Sequence, residues 1–224
     1  MRGNASGKEA IASLITGGRG SAGTTRMSAE DRLNQIVDVA VDLIGRHGYN
    51  GMSLQDIANE IGVSQTAVIH RVKNKQSLLV LVIERYYDRS TAERQYLQEF
   101  QPGGAREGER PHVPTVLRRI VAQNAQRPEL VRLFQMLNAE AMSPEHPAHR
   151  YFVERTHSTL TMYRNSDWEV PEGIDGEFVY SMALAAMYGL EGRWVADPEG
   201  VDYEAEWERY DAYLFPSPTW DGYR

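Results

Sequence analysis

The sequence predicts an all-α protein of about nine helices: a three-helix N-terminal helix-turn-helix domain and a larger helical C-terminal domain. Three observations lead to this fold class. Apolar residues recur three and four positions apart along most of the chain from residue 29 onward. Two short helix signals meet at Gly62. The chain shows no pair of alternating strands and no internal repeat.

Residues 1–28 are rich in Gly, Ser, Thr and Arg and lack periodicity, so they are expected to form a disordered arm. Gly18-x-Gly20-x-x-Gly23 has the letters of a dinucleotide-binding loop. That loop needs a strand before it and a βαβ unit around it, whereas helical patterns follow here. From Ala29, the residues Leu33, Ile36, Val37, Ala40, Val41 and Ile44 line one helix face, and Gly48 ends the helix. Ser53 opens a short helix over 54–61, with Asp56 placed to complete a capping box, and Gly62 stops it. Ser64 caps a third helix over 65–71. Asn74 caps a fourth that starts apolar, Leu78 to Ile83, and becomes charged over 84–94. Pro102, Gly103, Gly104 and Pro111 mark a loop. Pro114, Pro128 and Pro147 suit first turns, with helices expected near 114–126, 128–141, 147–166, 176–196 and 202–215. Residues 216–224 read as a flexible tail. The expected domains are thus 29–76 and 77–215, between arm and tail.

The segment 53–72 carries the sharpest signal. Ala58 is small enough to let the next helix cross closely, and Gly62 supplies the left-handed backbone of the turn. Ile57, Ile61, Val63 and Val68 make the shared core. This is the spacing of a helix-turn-helix whose second helix enters the DNA major groove. The outer surface of that helix carries Gln65, Thr66, Ala67, His70 and Arg71. Gln pairs with adenine, Arg with guanine, and Thr or Ala methyls meet thymine. Lys73 and Lys75 follow, two of only three lysines in the chain. Lys75 lies in a helix's first turn, where the dipole disfavours a cation; a bound phosphate would reverse that penalty.

Charge is distributed accordingly. The 224 residues carry a formal charge of −7. Residues 1–80 hold nine basic and seven acidic groups, while 81–224 hold 15 basic and 24 acidic. Residues 29–80 alone hold five basic and six acidic groups, so DNA affinity there would rest on a few placed cations.

At residues 29–84 the sequence resembles the DNA-binding domain of TetR-family transcriptional regulators. The resemblance rests on Arg46-His47-Gly48-Tyr49, Met52 to Ala58, Ile61-Gly62-Val63-Ser64, and Val72 through Leu79. It implies a homodimer that binds a palindromic double-stranded operator and releases it when a small-molecule effector, amphipathic or aromatic, enters the C-terminal domain. It implies base or nearby phosphate contacts from Gln55 and residues 65–71, and backbone contacts from Ser53 and Lys75. The alternative is a helical sensor or adaptor with weakened or lost DNA binding. This chain has Ile69 where the family usually has a phosphate-binding Tyr, and Val72 where it often has Phe. Arg19 and Arg26 of the arm are candidate compensating contacts.

In the body, Ala185, Gly189, Gly192 and Ala196 form a face of small residues. Tyr203, Trp207, Tyr210 and Leu214 form a bulky ridge at the same spacing. Groove and ridge predict that these two helices pack together and, with their symmetry mates, form a four-helix dimer interface; the alternative is packing within one subunit. Phe134, Met136, Asn138, Phe152, Thr156, His157, Tyr163, Tyr180, Met187 and Tyr188 are candidate pocket residues: aromatic and Met side chains with a few polar groups suit an amphipathic ligand. His146, His149 and His157 cluster in sequence but read as exposed polar residues rather than a metal site. No hydrolase, zincin or Ser-x-x-Lys pattern occurs, so neither enzyme activity nor a cofactor is expected. The absence of cysteine suits the reducing cytoplasm, and no apolar run reaches membrane-spanning length.

Overall fold

The computed structural model describes residues 27–83, 85 and 92–224. Arg19, Arg26 and the glycine motif of the expected arm lie outside the described residues. Among the described residues ten α-helices run in order: α1 (Ala29–Gly51), α2 (Leu54–Glu60), α3 (Gln65–Val72), α4 (Lys75–Ile83) and α5 (Ala92–Gln98). Then come α6 (Val113–Ala125), α7 (Pro128–Glu140), α8 (His149–Arg164), α9 (Gly176–Ala196) and α10 (Tyr203–Leu214). Among the described residues there is no strand, and His112 and Glu169 form one isolated bridge. The helix α5 begins within the charged stretch 84–94 that the sequence suggested as the end of the fourth helix, and runs on past it to Gln98.

The helix starts follow their caps. Ser64 Oγ accepts the Ala67 amide at 3.2 Å, and Asn74 Oδ1 accepts that of Ser77 at 2.7 Å. Asp175 and Asp202 do the same for α9 and α10. Gly48, at φ 74°, breaks the backbone near the end of α1, as a residue without Cβ can.

Two hydrophobic cores result. The first joins α1–α4 to one side of α7 and the start of α8, around Ile36, Ile44, Ile57, Val68, Leu78, Leu133 and Leu137. The second joins α5, α6, α9 and α10 around Tyr96, Leu117, Tyr180, Met187, Tyr203 and Trp207. Helix α7 borders both: Leu133 and Leu137 belong to the first core, and Gln135 reaches Glu191 on α9.

Residues 216–224 depart from the flexible tail expected. Phe215 and Trp220 are fully buried with ring centroids 4.9 Å apart, and 221–223 form a 3₁₀ turn. Two large aromatics leave water here, which outweighs the loop-like composition of the segment.

Candidate functional site

The helix pair α2–α3 is assembled from local bonds. Ser53 Oγ accepts the Asp56 amide at 3.2 Å, while the Asp56 carboxylate accepts the Ser53 amide at 2.8 Å, completing the capping box. Gly62 turns the chain at φ 69°. Ile57, Ala58, Val68 and Val72 are buried, so α3 is held on one side and free on the other. Its free side presents Gln65, Thr66, Ala67, His70 and Arg71, all exposed. Ile69 is 42% exposed among them, an apolar group on a polar face. Val72 is in the core, so its difference from the family pattern is one of packing. Gln55 is exposed on α2, with its Nε2 donating to Asn59 Oδ1 at 2.7 Å. Lys73 is exposed at φ 65°, the C-cap of α3.

Lys75 has a different setting from the one its sequence position suggests. Its Nζ lies 4.4 Å from the centre of the Tyr49 ring and 3.5 Å from the Asn50 carbonyl. It also feels Glu140 and Asp56, although partial burial, the larger effect, lowers its pKa. These neighbours within the chain accompany the lysine at the unfavourable helix end. The Ser53 hydroxyl is likewise engaged, donating to Asp56 Oδ2 at 2.7 Å.

Glu140 fastens the end of α1 to the body. Its carboxylate accepts the Tyr49 amide at 2.6 Å and the Asn50 amide at 3.1 Å. A Cβ on Gly48 would come within 2.7 Å of Glu140 Oε1 and push the carboxylate aside, in addition to the strain of a side chain at φ 74°. His146 packs edge-on against Tyr49 at 5.0 Å, and burial holds its pKa below the usual histidine value. His146 is thus buried rather than exposed, and His149 Nδ1 is bonded to the Ala141 carbonyl at 2.8 Å; only His157 of that trio is exposed. A histidine that packs against an aromatic ring is hidden from a composition-based reading.

A cavity of about 830 Å³, counting its part open to solvent, lies between α5, α6, α7, α8 and α9. Of the candidate pocket residues, Phe134, Met187 and Tyr188 line it. Phe152 packs behind Phe134 with ring centroids 5.3 Å apart. Tyr180 is buried and donates its hydroxyl hydrogen to Glu93, which lines the cavity. Tyr163 sits in a stack with Trp168 and Tyr180 instead. Thr156 and His157 are exposed, and Met136 and Asn138 do not line the cavity. The spacing of three and four found a helix face in each case but not which neighbour that face meets.

Sequence reasoning missed the polar residues. Glu191 is 3% exposed at the cavity wall. Its Oε1 accepts from Asn124 Nδ2 at 2.8 Å and from the Tyr203 hydroxyl at 3.4 Å. Its Oε2 accepts from Gln135 Nε2 at 3.2 Å. Burial, opposed by these bonds, pushes its pKa up to about 7. Glu93 is shifted upward for the same first reason. Tyr203 rises too, through burial and the nearby Glu191. One signal was available: Glu191 directly follows the longest nearly apolar run in the chain.

The ridge residues lie within their own subunit. Tyr203 and Trp207 are 3% and 2% exposed and belong to their own subunit's core, with Tyr210 and Leu214 packed against it. Tyr203 stacks on Trp194 at 4.6 Å, and Arg118 clasps Asp211 through two bonds of 3.1 and 3.0 Å, which draws α10 onto α6 and α9. Ala185, Gly189 and Ala196 are exposed, and Gly192 is partly covered by Gln135.

This architecture defines a helix-turn-helix protein with an attached helical domain that encloses a cavity. Residues 36–82 match the model of the bacterial regulatory proteins of the tetR family. The chain is 25% identical over 137 residues to the uncharacterized HTH-type transcriptional regulator YerO of Bacillus subtilis, a match covering 61% of this chain and 45% of that protein. The match to a second HTH-type regulator, from the dhlA 5′ region of Xanthobacter autotrophicus, covers 52% of that relative, so the chain spans about half the length of both. Among solved structures it resembles FadR from Bacillus subtilis in complex with stearoyl-CoA, with a TM-score of 0.56 and 18% identity over 81% of this chain and 96% of the other. It also resembles the ketosteroid regulator KstR2 of Mycobacterium tuberculosis, with a TM-score of 0.58 and 14% identity over 84% and 95%. At these identities the structural likeness concerns the fold.

Proposed function

We propose that the protein is a ligand-responsive transcriptional regulator, a repressor that leaves its operator when a small molecule fills the cavity. The observation that carries this reading is the recognition helix α3: locked from behind by Val68 and Val72, it leaves Gln65, Thr66, Ala67, His70 and Arg71 exposed. The likeness to FadR bound to stearoyl-CoA supports a ligand in the body. With Lys75 turned toward Tyr49, Arg71 and Lys73 become the cations placed for DNA. The pairing of two α3 helices one DNA turn apart, roughly 34–36 Å, requires a dimer. The surface that suits it is the open side of α9, where Phe178 and Met182 are exposed beside Ala185 and Gly189.

Helix α7 supplies the connection. Leu130, Val131 and Phe134 line the cavity, and Glu140 at its other end holds the backbone of Tyr49 and Asn50. A ligand that shifts α7 thereby acts on the end of α1, which packs with the reading head. Binding to DNA flanking the protein's own gene tests the reading. Salt-dependent binding that the double variant Arg71→Ala with Lys73→Ala abolishes supports it. Binding that this variant leaves untouched refutes it, and absence of binding favours a sensor without DNA recognition.

A further inference from the structure

We infer that His146 makes the joint between body and reading head sensitive to protons: a proton on its ring draws Glu140 off the backbone of Tyr49 and Asn50 and loosens the head. This rests on the reading of α7 as the link between cavity and head, and adds a second input to that link.

The ring is set for one charge state. Its Nδ1 accepts the Ala148 amide at 3.2 Å, so in the neutral ring the hydrogen sits on Nε2. Nε2 lies 3.9 Å from Glu140 Oε2, beyond hydrogen-bond reach. It is buried without a hydrogen-bond partner among the described residues, in a side chain only 2% exposed. Glu140 Oε2 is the oxygen that accepts the Tyr49 amide at 2.6 Å. The ring thus stands one short movement from the atom that holds the end of α1.

Each neighbouring element contributes to the setting. Among the described residues, the charged groups that act on the ring are Glu140 from α7, which favours a proton, and Lys75 from α4, which opposes one. From α1, Tyr49 meets the ring edge-on at 5.0 Å. At the start of α8, the His149 ring is bonded to the Ala141 carbonyl at 2.8 Å. In the loop itself, Glu145 is exposed and accepts the Ser143 hydroxyl at 2.6 Å.

A proton on the ring changes two contacts at once. Nδ1 becomes a donor facing the Ala148 amide, so that bond is lost. The cation also attracts Glu140 across a buried gap, where charge is weakly screened. Lys75 already feels the same carboxylate, so two cations then compete for one acid. Burial, the largest effect, keeps the ring neutral while the joint is closed. The closed joint is therefore favoured above the ordinary histidine range and weakens as pH falls through the ring's own, lower value. The coupling is reciprocal: the factor by which the closed joint resists the proton is the factor by which the proton opens the joint.

The test is hydrogen exchange at the Tyr49 and Asn50 amides of the full chain, corrected for the intrinsic effect of pH, at about pH 7.5 and about pH 5. Protection in the native chain should fall by about fivefold or more. It should stay nearly level in His146→Asn, whose side-chain oxygen can still accept the Ala148 amide but cannot gain a charge. Level protection in the native chain overturns the inference. An equal loss in His146→Asn assigns the effect to Glu140 or another group and overturns it too. If that variant fails to fold, the native chain decides: the His146 ring resonances and the two amides should share one midpoint, and separate midpoints overturn the inference. With a genomic fragment that the native chain selects, the native-to-variant affinity ratio should also fall several-fold over the same range. A constant ratio beside lost protection upholds the proton-sensitive joint and refutes α7 as the link to DNA.

Discussion

The reading head and the cavity are built by opposite strategies. In the head, the functional side chains stand on helices fixed by bonds between residues three apart, Ser53 with Asp56, Ser64 with Ala67 and Asn74 with Ser77. In the cavity, the decisive side chains are held across the sequence, Asn124 with Glu191 and Tyr180 with Glu93, 67 and 87 residues apart. The head keeps its polar groups in water and ready to meet an external partner. The body buries its polar groups, so each must find a neighbour or alter its charge.

The largest expected effect lies in the body. Trp207→Ala should cost about 3–5 kcal/mol of stability, since the ring is 2% exposed within its own subunit. Chemical denaturation should show a loss that is independent of protein concentration. A concentration-dependent loss would restore Trp207 to a dimer interface.

The next effect separates the two regions by pH. Glu191 has a folded pKa of about 7, above its ordinary value of 4.5, so its contribution to stability is fully present below pH 4.5 and is lost as pH rises through 7. The raised value bounds that loss at roughly 3 kcal/mol. Urea midpoints should fall between pH 5 and pH 8, and Glu191→Gln should flatten the decline.

Smaller effects belong to the head. Ser53→Ala should cost about 1 kcal/mol by removing the cap of α2, read as a lowered urea midpoint. Ile69→Tyr should raise DNA affinity by about threefold or more, because a hydroxyl on the exposed face can donate to phosphate. Fluorescence anisotropy with a bound genomic fragment checks this, and unchanged affinity would place residue 69 away from the DNA.

The same contrast explains what the sequence made legible. Caps, Gly62 and the periodicity placed the starts of nine of the ten described helices to within a few residues, α5 being the exception, because those signals act over one turn. The outer face of α3 followed, since Val68 and Val72 define its inner side. The setting of Tyr203 and Trp207 was not legible, because a ridge at helical spacing fits a partner subunit and the subunit's own α6 and α9 equally well. Thr156 and His157 shared a helix with Phe152 but turned to solvent. The setting of Lys75 was not legible because its neighbours, Tyr49 and Glu140, come together only in the folded chain. Asn124, Gln135 and Glu191 were passed over because their importance arises from one another.

The central claim is that α3 reads DNA. Genome-wide selection of fragments bound by the purified protein, run beside the Arg71→Ala, Lys73→Ala double variant, tests it most directly. The account predicts fragments sharing a two-fold symmetric site, enriched by the native chain and lost with the variant. Enrichment of no common site, or equal enrichment by both proteins, would contradict it.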